Sequence, residues 1–129
     1  LNANKRALLI LFSMLLTYSI LRVYLYFSPN TNFDIGPYNI HHLYTGILLM
    51  VIFALPLILF SNRSHAETIN SIGFGSGLGL TLDEWVYLIA TDGSDKSYLA
   101  PVSFWGSVII ISLTSIYIVI LWLVKRDRT

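Results

Sequence analysis

The chain has 129 residues, 55% of them hydrophobic and 12% charged, with a net charge of +1 and no cysteine. Soluble domains carry about 25% charged residues, so this composition excludes a surface facing water all round. The absence of thiols excludes disulfides, thiolate metal sites and thiol catalysis, and basic residues that gather into no patch exclude a nucleic-acid footprint.

Four apolar runs follow one another in a length that suits one domain. The first covers residues 7–27 and is broken only by Arg22. Ser28-Pro29-Asn30 ends it, because proline cannot continue a helix. A signal peptide is the rival reading, but Tyr24, Tyr26 and Phe27 stand where small residues should mark cleavage, so a retained helix is expected. The second run, residues 43–60, has no charge; Asn39 is its expected N-cap, and Pro56 should kink it. The third, residues 68–89, contains Asp83 and Glu84; Ser64 and Glu67 form a capping-box pattern at its start, and Asp92-Gly93 ends it. The fourth, residues 97–124, is uncharged, with Pro101 in its first turn.

A spanning helix needs about 20 mostly apolar residues, and backbone in lipid must satisfy its own hydrogen bonds. The expected fold is therefore all-α: a polytopic membrane protein with one domain of four transmembrane helices, at about residues 5–27, 40–60, 65–91 and 98–125. Basic residues favour the cytoplasmic side. Lys5 and Arg6 precede the first span, Arg63 separates the second from the third, and Lys125, Arg126 and Arg128 follow the fourth. The other two connections hold only Lys96 against Asp34, Asp92 and Asp95. This predicts a multi-pass protein of the cell membrane with both termini cytoplasmic.

Glycines at alternate positions of the third run form two interleaved stripes, Gly73/Gly77 and Gly75/Gly79. Such small-residue stripes let helices approach closely in lipid, and two stripes imply two neighbours. Gly75 and Gly79 lead by steps of four to Asp83. His42 and Gly46 share a face of the second run, so a tight crossing of the second and third helices is expected there. A phosphate-loop reading fails: no strand precedes the glycines and no P-loop lysine follows.

The alternating topology brings Arg22, His41, His42, Asp83 and Glu84 to one depth in the outer half of the bilayer. Ionisable groups there are costly and pair, line a polar cavity or bind a ligand. In the plainest reading, Arg22 is a snorkelling anchor or the counter-ion of Asp83 or Glu84 within a structural ion-pair network. Two acids against one arginine call for a protonated carboxyl or histidine. A sharper reading is a metal site for zinc, iron or manganese using His41, His42, Asp83 and Glu84. Against it, adjacent helical residues diverge by about 100°, so one histidine and one carboxylate per chain is the expected maximum, and only one histidine should aim at the acids. Proton or small-solute transport is a third reading, but the inner half offers only Asn70, Ser71 and Ser76.

The remaining polar and aromatic residues have plain explanations. His65 falls in a turn and is read as solvated. Trp85, Tyr87, Tyr98, Trp105 and Trp122 suit interfacial belts. Ser103, Gly106, Ser107, Ser112 and Ser115 suit helix packing. Residues 92–97 lack the order of a calcium loop and read as a turn.

At Ile40-His41-His42-Leu43-Tyr44-Thr45-Gly46, and again at Gly77-Leu78-Gly79-Leu80-Thr81-Leu82-Asp83-Glu84-Trp85, the chain resembles small integral membrane proteins of bacteria and archaea. That resemblance implies a four-helix membrane protein and the grouping of His41, His42, Asp83 and Glu84, but no activity. The expected role is a non-catalytic subunit or self-associating scaffold, with the bilayer and other copies or membrane subunits as partners. Little of the chain lies outside the apolar runs to build a soluble active site.

Overall fold

The computed structural model describes residues 2–60 and 64–128, without the Ser64 side chain. Arg63 and the hydroxyl of the expected capping box lie outside the described residues. The fold is all-helical: α1 spans Ala3–Phe27, α2 His42–Leu59, α3 Ser64–Ala90, α4 Asp95–Tyr98 and α5 Pro101–Asp127. Three of these, α1, α2 and α5, are long and apolar enough to cross a membrane.

Local chemistry sets the helix ends. The Asn2 side chain accepts a hydrogen bond from the Lys5 amide at 2.9 Å and starts α1, satisfying an N–H that has no partner within the helix. The Ser28 amide closes α1 on the Tyr24 carbonyl, one residue before Pro29. Pro101 occupies the first turn of α5, where its missing N–H removes no helical hydrogen bond.

Two boundaries correct the sequence reading. Asp34–Ile35 (β1) and Tyr38–Asn39 (β2) pair antiparallel across Gly36-Pro37. Gly36 has φ +59°, which suits the first central position of a tight hairpin turn. Asn39 belongs to this hairpin and does not cap α2; its side-chain Nδ2 donates to Asn32 Oδ1 at 3.3 Å. The N-cap is His41, in extended backbone with φ −63° and ψ 144°. The second correction concerns the last helix, which begins at Pro101 rather than near residue 98. Tyr98 sits instead on α4, a separate short helix. Asp92 Oδ1 accepts from Ser97 Oγ at 2.6 Å and from the Ser94 amide at 3.0 Å. Those bonds, to Ser97 first and Ser94 second, lower the Asp92 pKa from 3.8 to about 2 and fix the turn that leads into α4.

The helices are arranged around α3, which packs against α1, α2 and α5. Among the described residues α2 packs against no other long helix, whereas α1 and α5 also touch each other. The glycines explain the closeness. A Cβ at Gly77 would lie 2.8 Å from the Gly46 carbonyl oxygen of α2, and one at Gly79 would lie 2.7 Å from the Met14 carbonyl oxygen of α1. Gly73 faces Phe53 of α2, and Gly75 faces Ile10 and Ser13 of α1. One glycine stripe thus meets each neighbour, and α1 runs parallel to α3 while α2 runs against it. Gly106 of α5 meets Val86 on a third side.

The interior is small and polar, and the exterior is apolar. The hydrophobic core cluster is Met14, Leu82 and Ile111. Glu67, Ser71, Asp83, Glu84, Ser103 and Ser107 are buried with it. Outside, Phe12, Leu16, Ile20 and Val23 of α1 and Ile109, Leu113, Ile116 and Ile120 of α5 form exposed stripes. A soluble monomer rarely exposes apolar area on this scale, whereas helices in lipid pair through small and polar residues and turn apolar ones outward.

Candidate functional site

At the hairpin end, all four long helices and α4 deliver polar side chains to one place. Asp83 continues the α3 stripe that faces α1, and Glu84, a quarter-turn on, faces the start of α2. Asp83 is fully buried and Glu84 is 3% exposed. Arg22 lies a little over one turn before the end of α1, with its side chain 9% exposed.

Arg22 is held at every nitrogen. Its Nε donates to Asp83 Oδ1 at 2.5 Å. One terminal nitrogen donates to the Tyr98 carbonyl at 3.0 Å. The other donates to the Asp83 carbonyl at 3.0 Å and to the carbonyl and hydroxyl oxygens of Ser103 at 3.2 and 3.1 Å. The guanidinium also stacks over the Tyr98 ring, 4.1 Å from its centroid, a favourable cation–π geometry. Arg22 therefore points into the helix cluster as a counter-ion and is not a snorkelling anchor.

The second Asp83 oxygen accepts from the Tyr98 hydroxyl at 2.5 Å and faces His42 Nε2 at 2.7 Å. Glu84 Oε1 accepts from the Leu43 amide at 2.9 Å and lies 3.3 Å from His42 Nδ1. Glu84 Oε2 faces His41 Nδ1 at 3.1 Å. A carboxylate from α3 thus caps the first turn of α2, where unsatisfied N–H groups carry a partial positive charge.

Both imidazoles aim at the acids, which corrects the expectation that only one would. The 100° divergence applies to two helical residues, and His41 lies outside the helix in extended backbone. His42 bridges the two carboxylates with both ring nitrogens. Neutral imidazole has one N–H and one lone pair, and a lone pair facing a carboxylate oxygen is repulsive. Both bridges would be made with the ring as imidazolium or with a facing carboxyl protonated, and either form would bring Arg22, Asp83, Glu84 and His42 to neutrality.

The two imidazoles are held by edge contacts. His41 packs on Tyr87 with centroids 5.8 Å apart, and His42 packs on Tyr98 at 5.9 Å. Tyr87 and Tyr98 meet edge to face at 5.4 Å, and the Tyr87 hydroxyl donates to the Ser94 carbonyl at 2.9 Å. Among the described residues, no three His, Asp or Glu side chains are placed to hold one ion. The imidazole nitrogens face carboxylate oxygens rather than a point shared with them.

Sequence reasoning missed four parts of this network. Tyr98 and Tyr87, both taken for belt residues, are buried, Tyr98 hydrogen-bonded to Asp83 and Tyr87 packed on His41. Ser103, taken for packing, accepts from Arg22. The Leu43 amide is a backbone donor with no side-chain signal. The Asp92–Ser97 turn was the one available pointer to Tyr98, since a reversal this short returns the chain to the end of α3.

No family model, curated protein or solved structure matches this chain.

A smaller polar contact lies at the far end. Arg6 Nε stands 3.5 Å from Glu67 Oε2, and Glu67 is 2% exposed. Trp122 Nε1 donates to Asn4 Oδ1 at 2.8 Å, tying α5 to α1. About one turn from Arg22 and Ser103, the Tyr18 and Ser107 hydroxyls join the same two helices at 2.8 Å.

Proposed function

We propose that the chain is a multi-pass protein of the cell membrane with four spans, α1, α2, α3 and α5, and both ends cytoplasmic. Its role in this reading is non-catalytic: a small membrane subunit or self-associating scaffold whose helices are locked by the Arg22–Asp83–His42–Glu84–His41 clamp. The resemblance to small polytopic membrane proteins belongs to the same proposal.

The span assigned to α3 draws support from its exposed positions. Its 27 residues extend about 40 Å at 1.5 Å each, against a hydrocarbon core of about 30 Å. Its exposed large apolar side chains are Ile69, Ile72, Trp85 and Ile89, with His65 exposed in its first turn, while its acids and most of its glycines turn inward. The low hydropathy of α3 thus reflects burial among three neighbours.

One observation carries the non-catalytic reading. Every carboxylate oxygen of Asp83 and Glu84, and every Arg22 nitrogen, already has a partner within the chain. A general acid, base or carrier needs a reacting group that can reach substrate, and here those groups face one another. Self-association is favoured by α2, which leaves most of its circumference to lipid or to another copy.

A membrane-permeant carbodiimide tests the clamp, because it modifies accessible protonated carboxyls in apolar surroundings. In native membranes Asp83 and Glu84 should resist it and react only after denaturation, as read by mass spectrometry of the peptides. Near-stoichiometric modification of either acid in the native protein would overturn the clamp reading in favour of a proton-carrying site.

A further inference from the structure

Because α1 and α2 each pack on α3 and not on one another, a cleft of about 340 Å³ opens between the end of α1 and the start of α2. This lies within the size range of small-molecule sites. Four rings line it, Tyr24, Phe33, Tyr87 and Tyr98, together with the acids Glu84 and Asp95. The imidazoles of the clamp complete its ionisable lining, which contains no lysine or arginine.

The charge balance separates the two acids. Glu84 is satisfied by the clamp, with the Leu43 amide on one oxygen and His41 on the other. Asp95 accepts one hydrogen bond, from Asn32 Nδ2 at 3.0 Å, and takes part in no ion pair among the described residues. A carboxylate offers about four lone-pair sites, so Asp95 keeps accepting capacity. It is the uncompensated charge of a lining otherwise rich in aromatic surface.

Tyr87 and Tyr98 are buried walls, with Arg22 already on the Tyr98 face. The exposed rings Tyr24 and Phe33 therefore supply the negative faces, and beside an unpaired carboxylate they favour one chemical class, an organic cation. An anion meets Asp95 and finds no fixed cation. A neutral apolar molecule gains nothing from the acid and covers it. We infer that this cleft binds an alkylammonium group. The group can belong to a phospholipid headgroup entering from the bilayer or to a free amine from the aqueous side, since the cleft lies where helices meet loops. The inference uses Phe33 and Asp95, which take no part in the clamp, so either idea can fail while the other stands.

Calorimetric titration of the whole detergent-solubilised protein tests this with choline chloride against 3,3-dimethylbutanol, its uncharged isostere. Choline should bind saturably and the alcohol should not. Asp95→Asn should weaken choline binding about tenfold. Phe33→Leu, at a side chain 63% exposed and irrelevant to helix packing, should weaken it several-fold. Short-chain phosphatidylcholine and phosphatidylglycerol form the second arm. Tighter binding of the phosphatidylcholine than of choline assigns the group to a lipid, and equal or weaker binding assigns it to a free amine. Choline binding no tighter than the alcohol, or binding unchanged in both variants, would overturn the inference.

Discussion

Arg22→Gln should destabilise the protein sharply, and neutralising Asp83 as well should return part of the loss. Arginine brings five N–H donors to this site, and the structure uses them on the Asp83 carboxylate, three backbone carbonyls and the Ser103 hydroxyl. Glutamine brings two donors and no charge, so Asp83 stays fully buried without its cation. Breaking a buried pair by removing one partner costs about 3–5 kcal/mol, or roughly two to three and a half powers of ten in the unfolding constant. Asp83→Asn should fall in the same range, because it strands a guanidinium that is 9% exposed. In the double variant neither charge is stranded, and the remaining loss is hydrogen bonds worth about 0.5–1.5 kcal/mol each. The double variant should therefore fall short of the summed single losses by about 1–3 kcal/mol. Equilibrium unfolding by dodecyl sulfate in mixed micelles, followed by circular dichroism at pH 7, measures all four corners. Additivity within about 0.5 kcal/mol, the behaviour of independent sites, would falsify the clamp as the element joining α1 to α3. Arg22→Lys should lie between, because it keeps the charge but loses the planar fork.

Gly79→Leu should impair folding or assembly far more than Leu at exposed Ile72, because even a Cβ at Gly79 would lie 2.7 Å from the Met14 carbonyl oxygen. Overpacking of this kind costs about 1–3 kcal/mol or more, and equal yield and thermal stability of the two variants would refute the close α1–α3 contact. The chain lacks cysteine, so single cysteines report topology without background. A membrane-impermeant maleimide should label Asn30→Cys and Lys96→Cys in intact cells and leave Lys125→Cys unlabelled until lysis; the reverse pattern contradicts cytoplasmic termini. The Asp92 turn should resist acid. A carboxyl lowered in the folded state lends stability that is full above the ordinary value of 3.8 and fades as pH falls through about 2,. Hydrogen exchange of the Ser94 amide should therefore stay protected near pH 3 in the wild type and lose that protection in Asp92→Ala; loss of wild-type protection already near pH 4 contradicts the capping bonds.

Much of the helical architecture is legible in the sequence because lipid leaves the backbone few choices. An apolar run of sufficient length becomes a helix, and glycines spaced by four mark where another backbone can approach. What stayed hidden depends on partners distant in sequence. Glu84 caps α2 across 41 residues, whereas the capping patterns readable from sequence are local. Asn39 has the type and position of a cap, but the Gly36-Pro37 turn draws it into a hairpin. Tyr98 has the composition of a belt residue, and only the geometry of α4 turns its hydroxyl inward.

The histidine pair shows most plainly how such an error arises. Treated as neighbours on one helix, His41 and His42 cannot both face the acids, and that inference is sound for helical backbone. The helix begins at His42, so His41 keeps extended dihedrals and its ring reaches Glu84 from outside. A boundary shift of one or two residues is the ordinary uncertainty of helix ends, yet here it decides whether two imidazoles or one enter the network. With only one, a single ring would have to neutralise both the Glu84 carboxylate and the second oxygen of Asp83. With both, His42 bridges the acids and His41 supplies a separate donor to Glu84 Oε2, so each oxygen has its own partner. Moving the boundary back should therefore break the network with both imidazoles still present. Inserting one alanine between Asn39 and Ile40 would lengthen the lead-in without touching α2 and should cost no more than the Ile40–Phe33 backbone hydrogen bond, about 0.5–1.5 kcal/mol. Inserting it between His41 and His42 should displace His41 Nδ1 from Glu84 and lower stability by about the 1.5–3 kcal/mol of a hydrogen bond to a charged group. Equal stability of the two insertions would show that His41 contributes nothing to the clamp.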